Sequence, residues 1–102
     1  MDFKKEVLEH DGPVLVEFCA PWCGYCRRLA PAVTNITELY KDKVKVVILN
    51  IDDYEALTDS YNIELIPSLI LFKKGKKCRP LVNPSTQEDL EKYLKDNGIT
   101  KE

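Results

Sequence analysis

Val14-Leu15-Val16-Glu17-Phe18-Cys19-Ala20-Pro21-Trp22-Cys23-Gly24-Tyr25-Cys26-Arg27-Arg28-Leu29 is the stretch on which the reading of this chain turns. Val14 to Cys19 is almost continuously apolar, as in a strand covered on both faces. Leu29, Val33, Ile36 and Tyr40 then recur at helical spacing. Cys23 and Cys26 therefore stand where a buried strand hands over to a helix. Unpaired N–H groups and the positive end of the helix dipole gather at such a point. A sulfur placed there is stabilised as thiolate, which is the nucleophilic form. The spacing of i and i+3 sets the second sulfur one turn along, close enough to close a disulfide. The expectation is thiol–disulfide exchange, with Cys23 the exposed attacker and Cys26 the more buried resolver.

Other uses of Cys-x-x-Cys fit less well. A structural zinc site wants four ligands, and only Cys19, Cys78 and His10 remain to complete one. A purely structural disulfide would close a loop too short to constrain the unfolded chain. No metal is expected, and no cofactor beyond a redox-active Cys23–Cys26 disulfide.

Outward from the motif, Val44 to Leu49 reads as a second buried strand and Ser68 to Phe72 as a third. Lys73-Lys74-Gly75-Lys76 is a turn signal, so Lys77 to Val82 reads as the return strand of a hairpin. Phe3, Val7 and Leu8 share a face of a short opening helix with Asp2 as its N-cap. Tyr54, Leu57 and Tyr61 mark another helix. Leu90, Tyr93 and Leu94 mark the last, with Ser85 and Glu88 as a capping box and Gly98 as its stop. The order α-β-α-β-α-β-β-α gives an α/β fold: a mixed sheet of about four strands with helices on both faces. The expected organisation is one domain over 1–102.

Composition agrees with a globular chain: 44% hydrophobic and 31% charged residues. A net charge of -2 gives no reason to expect nucleic acid or a membrane surface as partner. No apolar run approaches the ~20 residues a bilayer span needs. Met1-Asp2-Phe3-Lys4-Lys5-Glu6 lacks the pattern of a secretory signal, so the expected compartment is the cytoplasm.

Val16 to Pro31 resembles the active-site segment of the thioredoxin family, and Ala20-Pro21-Trp22-Cys23-Gly24-Tyr25-Cys26 is most similar to the catalytic domains of protein disulfide isomerases. The resemblance extends over nearly the whole chain: Leu49-Asn50-Ile51-Asp52 is similar to the end of the family's third strand, and Ile66-Pro67-Ser68 with Leu69 to Gly75 to its cis-proline strand and hairpin. It implies a thioredoxin fold whose leading strand is missing here, leaving an extra open edge. It also implies a cis Ile66-Pro67 peptide facing the cysteines and offering the Ile66 backbone to an extended substrate. Glu17 takes, by the same resemblance, the role of proton acceptor for Cys26. Trp22, Tyr25, Ile66 and Pro67 form an apolar patch around Cys23 suited to transient protein partners.

Several residues depart from the family pattern. Ile48 stands where the family often has a lysine facing the acid, so Glu17 is expected to titrate high by desolvation. Cys19 replaces an aromatic residue and reads first as a small buried hydrophobe. Cys78, on the return strand, reads as structural. Asn83-Pro84 replaces a glycine beside the substrate groove, and the arginine that isomerases carry in this region is absent. Tyr25 between the cysteines leaves two directions open. One is a monomeric reductant of protein disulfides, recharged by a reductase; the other is an oxidase or isomerase of an oxidising compartment. A redox-inactive or metal-binding module is the remaining alternative.

Overall fold

The computed structural model describes residues 1–101. Four parts of its sheet lie in the order β2 (Lys45–Asn50), β1 (Val14–Cys19), β3 (Ser68–Lys73) and β4 (Lys76–Lys77), and β5 (Leu81–Val82) pairs with β3 further along the same edge. β1 is parallel to β2 and antiparallel to β3. α1 (Gly24–Leu39) links β1 to β2, the short α2 (Glu55–Ser60) precedes β3, and α3 (Gln87–Asp96) closes the chain. This is the thioredoxin fold.

Alternation along the central strands divides the core into two layers. Leu15, Leu69 and Leu71 face α1 and α3, packing with Leu29, Val33, Ile36, Leu90 and Leu94. Val14, Val16, Phe18, Ile70 and Phe72 face the other way, against Val7 of the opening helix and Leu57 of α2. Both strands are sealed on both sides because each face carries its own helical cover.

The opening helix, Lys4–Leu8, is wound wider than an α-helix: Glu9 N–H reaches back five residues to Lys4 O at 2.8 Å. Its N-cap is Phe3 rather than the expected Asp2, which lies one residue earlier and accepts from Lys5 N–H at 3.3 Å. Among the described residues no strand precedes this helix, so β2 is an open edge. One of its faces is also incompletely covered, since Ile48 is 58% exposed, which corrects the expectation that Val44 to Leu49 would be covered on both faces.

Two further corrections concern the last third of the chain. The return strand expected over Lys77 to Val82 is broken into β4 and β5. Pro80, lying in the gap, has no N–H to give the ladder. The cap of α3 is Thr86 with Asp89, one residue on from Ser85 and Glu88. Thr86 is extended (φ -133°, ψ 162°) and its hydroxyl accepts from Asp89 N–H at 3.1 Å. Asp89 in return accepts from the N–H groups of Ser85 and Thr86. Asn97 and Gly98 follow α3, and Gly98 takes the left-handed conformation expected of a stop (φ 86°).

Candidate active site

The C-terminal ends of the parallel pair β1 and β2 and the N-terminus of α1 meet at one end of the sheet. Cys23 is the N-cap of α1, extended at φ -87° and ψ 114°. Its sulfur accepts from Cys26 N–H at 3.3 Å, the place a capping oxygen would take. Its S–H lies 3.8 Å from Ile66 O, on the segment that leads into β3. Burial raises the Cys23 thiol, but the Cys26 side chain and N–H, the Tyr25 N–H and the Arg27 charge outweigh it, so Cys23 is held below the ordinary thiol value of 9.0. Cys26 goes the other way, to about 12, by burial and by its contact with Cys23. Both residues are 6% exposed, so the expected contrast of an exposed Cys23 and a more buried Cys26 is not found. The two differ instead in thiol acidity, Cys23 held low at the helix cap and Cys26 pushed up.

Trp22 and Tyr25 flank Cys23 and are 63% and 61% exposed. Trp22 Nε1 donates to Asp52 Oδ2 at 2.8 Å, and Asp52 N–H donates to Asn50 Oδ1 at 3.0 Å. Asp52 is a site residue that the sequence did not single out. Its signal was the parallel pairing of β1 and β2, which brings their following loops together. The Arg28 guanidinium sits 4.5 Å over the Tyr25 ring, a cation–π contact. Arg27 donates to Pro21 O at 2.9 Å, tying down the turn before the cysteines.

Ile66-Pro67 is a cis peptide, and Pro67 O accepts from Asn83 N–H at 2.8 Å. Asn83 adopts φ 50°, a left-handed conformation that asparagine tolerates. The backbone shape natural to glycine is thereby kept at this rim of the groove. Of the four expected substrate-binding residues, Ile66 packs against Cys23, and Pro67 follows it in the chain. Trp22 and Tyr25 are neighbours of Cys23 in sequence, and their side chains contact Asp52 and Arg28.

Glu17 lies mid-strand in β1, with Ile48 beside it on β2 and Leu69 on β3. It is 3% exposed, and among the described residues no cation pairs with it. Desolvation by burial raises its carboxyl from 4.5 to about 7. Cys19, two residues on, shares its face of the strand. Its thiol is pushed up to about 11 by burial, by the Glu17 charge and by Cys23. Among the described residues no group of three or more His, Cys, Asp or Glu is arranged to hold a metal ion. No described helix is long and apolar enough to cross a membrane.

A family model described as Thioredoxin matches residues 1–96. Thioredoxin 1 of Nostoc sp. is 47% identical over 96 residues, covering 90% of each chain. The thioredoxin of Synechocystis sp. is likewise 47% identical over 96 residues, covering 90% of each. The chloroplastic M-type thioredoxin of Chlamydomonas reinhardtii is 46% identical over 96 residues, 90% of this chain and 69% of its own. With these matches, and with Cys23 and Cys26 side by side at the start of α1, the chain belongs to the thioredoxin family and is a thiol–disulfide oxidoreductase.

Proposed function

We propose that the chain reduces protein disulfides, with Cys23 as nucleophile, Cys26 as resolving thiol and Glu17 as proton acceptor. The Cys23 thiolate attacks one sulfur of a substrate disulfide, and the other leaves as thiolate. Cys26 gives its proton to Glu17 and attacks Cys23 Sγ. The Cys23–substrate bond breaks, the substrate's second thiol departs, and the chain keeps the Cys23–Cys26 disulfide. Two electrons pass to the substrate, and a disulfide reductase returns them. The observation that carries this reading is Cys23 Sγ at the cap of α1, 3.3 Å from Cys26 N–H. A carboxyl near 7 suits Glu17 to its role, since a base works best when its pKa is close to the working pH.

Trp22, Tyr25, Ile66 and Pro67 receive the substrate chain, supported by their exposure or position around Cys23. The chain's own disulfide is the only redox group required. The reading is of one domain over 1–102, a monomer working in the cytoplasm. In the test, the dithiol chain reduces a disulfide-bonded protein, and Cys23→Ser abolishes the reaction. Cys26→Ser accumulates a covalent substrate adduct visible by mass. Full activity in Cys23→Ser sinks the assignment. Equilibration with glutathione fixes the direction: a low potential supports the reductant, and a high one transfers the same residues to oxidation or isomerisation.

A further inference from the structure

Cys19 closes β1 and points to the same side as Leu15 and Glu17, because strand side chains alternate. That side meets the start of α1, and Cys19 packs there against Ala20, Cys23 and Cys26. Cys19 is not sealed into the core. It is part-exposed, and with Cys26 it lines an open groove of about 330 Å³ whose other walls include Ala30, Ile48 and Asn50. The resolving sulfur thus has two thiol neighbours, Cys23 and Cys19, within one cluster.

We propose that Cys19 is a third exchanging thiol, which displaces Cys23 from Cys26 and holds the oxidised chain as a Cys19–Cys26 disulfide. The proposal rests on the exchange chemistry assigned above to Cys23 and Cys26. In the oxidised chain Cys19 gives its proton to Glu17, and its sulfur attacks Cys26 Sγ. The Cys23–Cys26 bond breaks and its electron pair leaves on Cys23. One disulfide is made and one is lost, so no outside oxidant or reductant is needed. The leaving group suits the step, since Cys23 is the thiol held low and such a thiol departs readily. In the new isomer Cys23 is free again. An oxidised chain then attacks a substrate disulfide and rearranges it with no net electron transfer, giving isomerase chemistry from the same site.

The test uses the full chain with Cys23→Ser and Cys78→Ser, which leaves Cys19 and Cys26 as its only thiols. On incubation with oxidised glutathione, both thiols are expected to be lost, giving a chain lighter by two hydrogens with no adduct. Two free thiols, or glutathione retained on either sulfur, overturn the proposal. The wild-type chain gives a second measurement that does not depend on those substitutions folding. Oxidised by one equivalent and alkylated, it is expected to yield a fraction labelled at Cys23 and Cys78 with Cys19 joined to Cys26, a fraction lost in Cys19→Ser. Label confined to Cys19 and Cys78 overturns the proposal. Neither readout depends on substrate reduction, so a failure here is separate from survival of activity in Cys23→Ser.

Discussion

Glu17 is a carboxylate placed in the middle of a strand whose neighbours are Ile48 and Leu69. Between pH 4.5 and about 7 an unfolded chain has lost the Glu17 proton, while the folded chain keeps it. Folding then binds a proton, so stability falls as pH rises through that window and levels off above it. The gap is worth about 3 kcal/mol for a group this buried. Glu17→Gln is expected to recover about that much relative to the wild type at alkaline pH, and almost none in acid. Denaturant unfolding at the two pH values reads the difference. The same variant loses the acceptor, and resolution of the mixed disulfide slows about a hundredfold in rapid-quench kinetics. Ile48→Lys tests the cause from the opposite side. A cation beside the carboxyl draws its pKa back toward 4.5, followed by NMR titration of the Glu17 side-chain carbonyl.

At the scale of the element, α3 shows what patterning reveals and what it leaves degenerate. Leu90, Tyr93 and Leu94 announced its buried face, and all three are buried. Ser85 with Glu88 and Thr86 with Asp89 offer the same spacing of hydroxyl and acid, so the sequence alone supports either start. The choice is tertiary: Thr86 takes the extended conformation, and Asp89 gathers two N–H groups in front of it. Thr86→Ala removes the cap and is expected to cost about 1 kcal/mol in denaturant unfolding, with Ser85→Ala costing much less. The hairpin was similarly half legible. Its turn was marked by Gly75, which takes φ 82° and passes so close to Leu8 O that a Cβ would stand 2.8 Å from it. The break at Cys78-Arg79-Pro80 follows from the missing N–H of Pro80, which the apolar pattern of the return arm does not register.

At the scale of the molecule, the buried strands and helical stripes gave the layers directly, since each feature is local and repeated. The site was legible where its parts are contiguous, as at Cys23 and Cys26. It was not legible where two chain segments meet by register, as Trp22 and Asp52 do, nor where a small residue opens space, as Cys19 does. Tyr93 is the bond that joins these layers late in the chain. Its hydroxyl accepts from Leu71 N–H at 2.9 Å and donates to Arg79 O at 2.7 Å, so α3, β3 and the hairpin meet at one oxygen. Tyr93→Phe leaves the buried Leu71 N–H without its partner and is expected to cost about 1–3 kcal/mol, read from the unfolding midpoint.

The open edge at β2 bears on how this protein behaves when crowded or heated. Val46-Val47-Ile48-Leu49 is apolar and rich in β-branched residues, and its outer row of backbone groups is free to template another chain. Lys45 guards only one end, where its ammonium is tied to Glu6 O at 2.9 Å. The strand is therefore exposed to other chains along the rest of its length, which makes β2 the expected seed of cross-chain pairing. The solution should turn turbid by β2 recruitment well before the central strands β1 and β3 let go. A charge set into this edge, as in Ile48→Lys, should keep it clear for longer in a light-scattering melt.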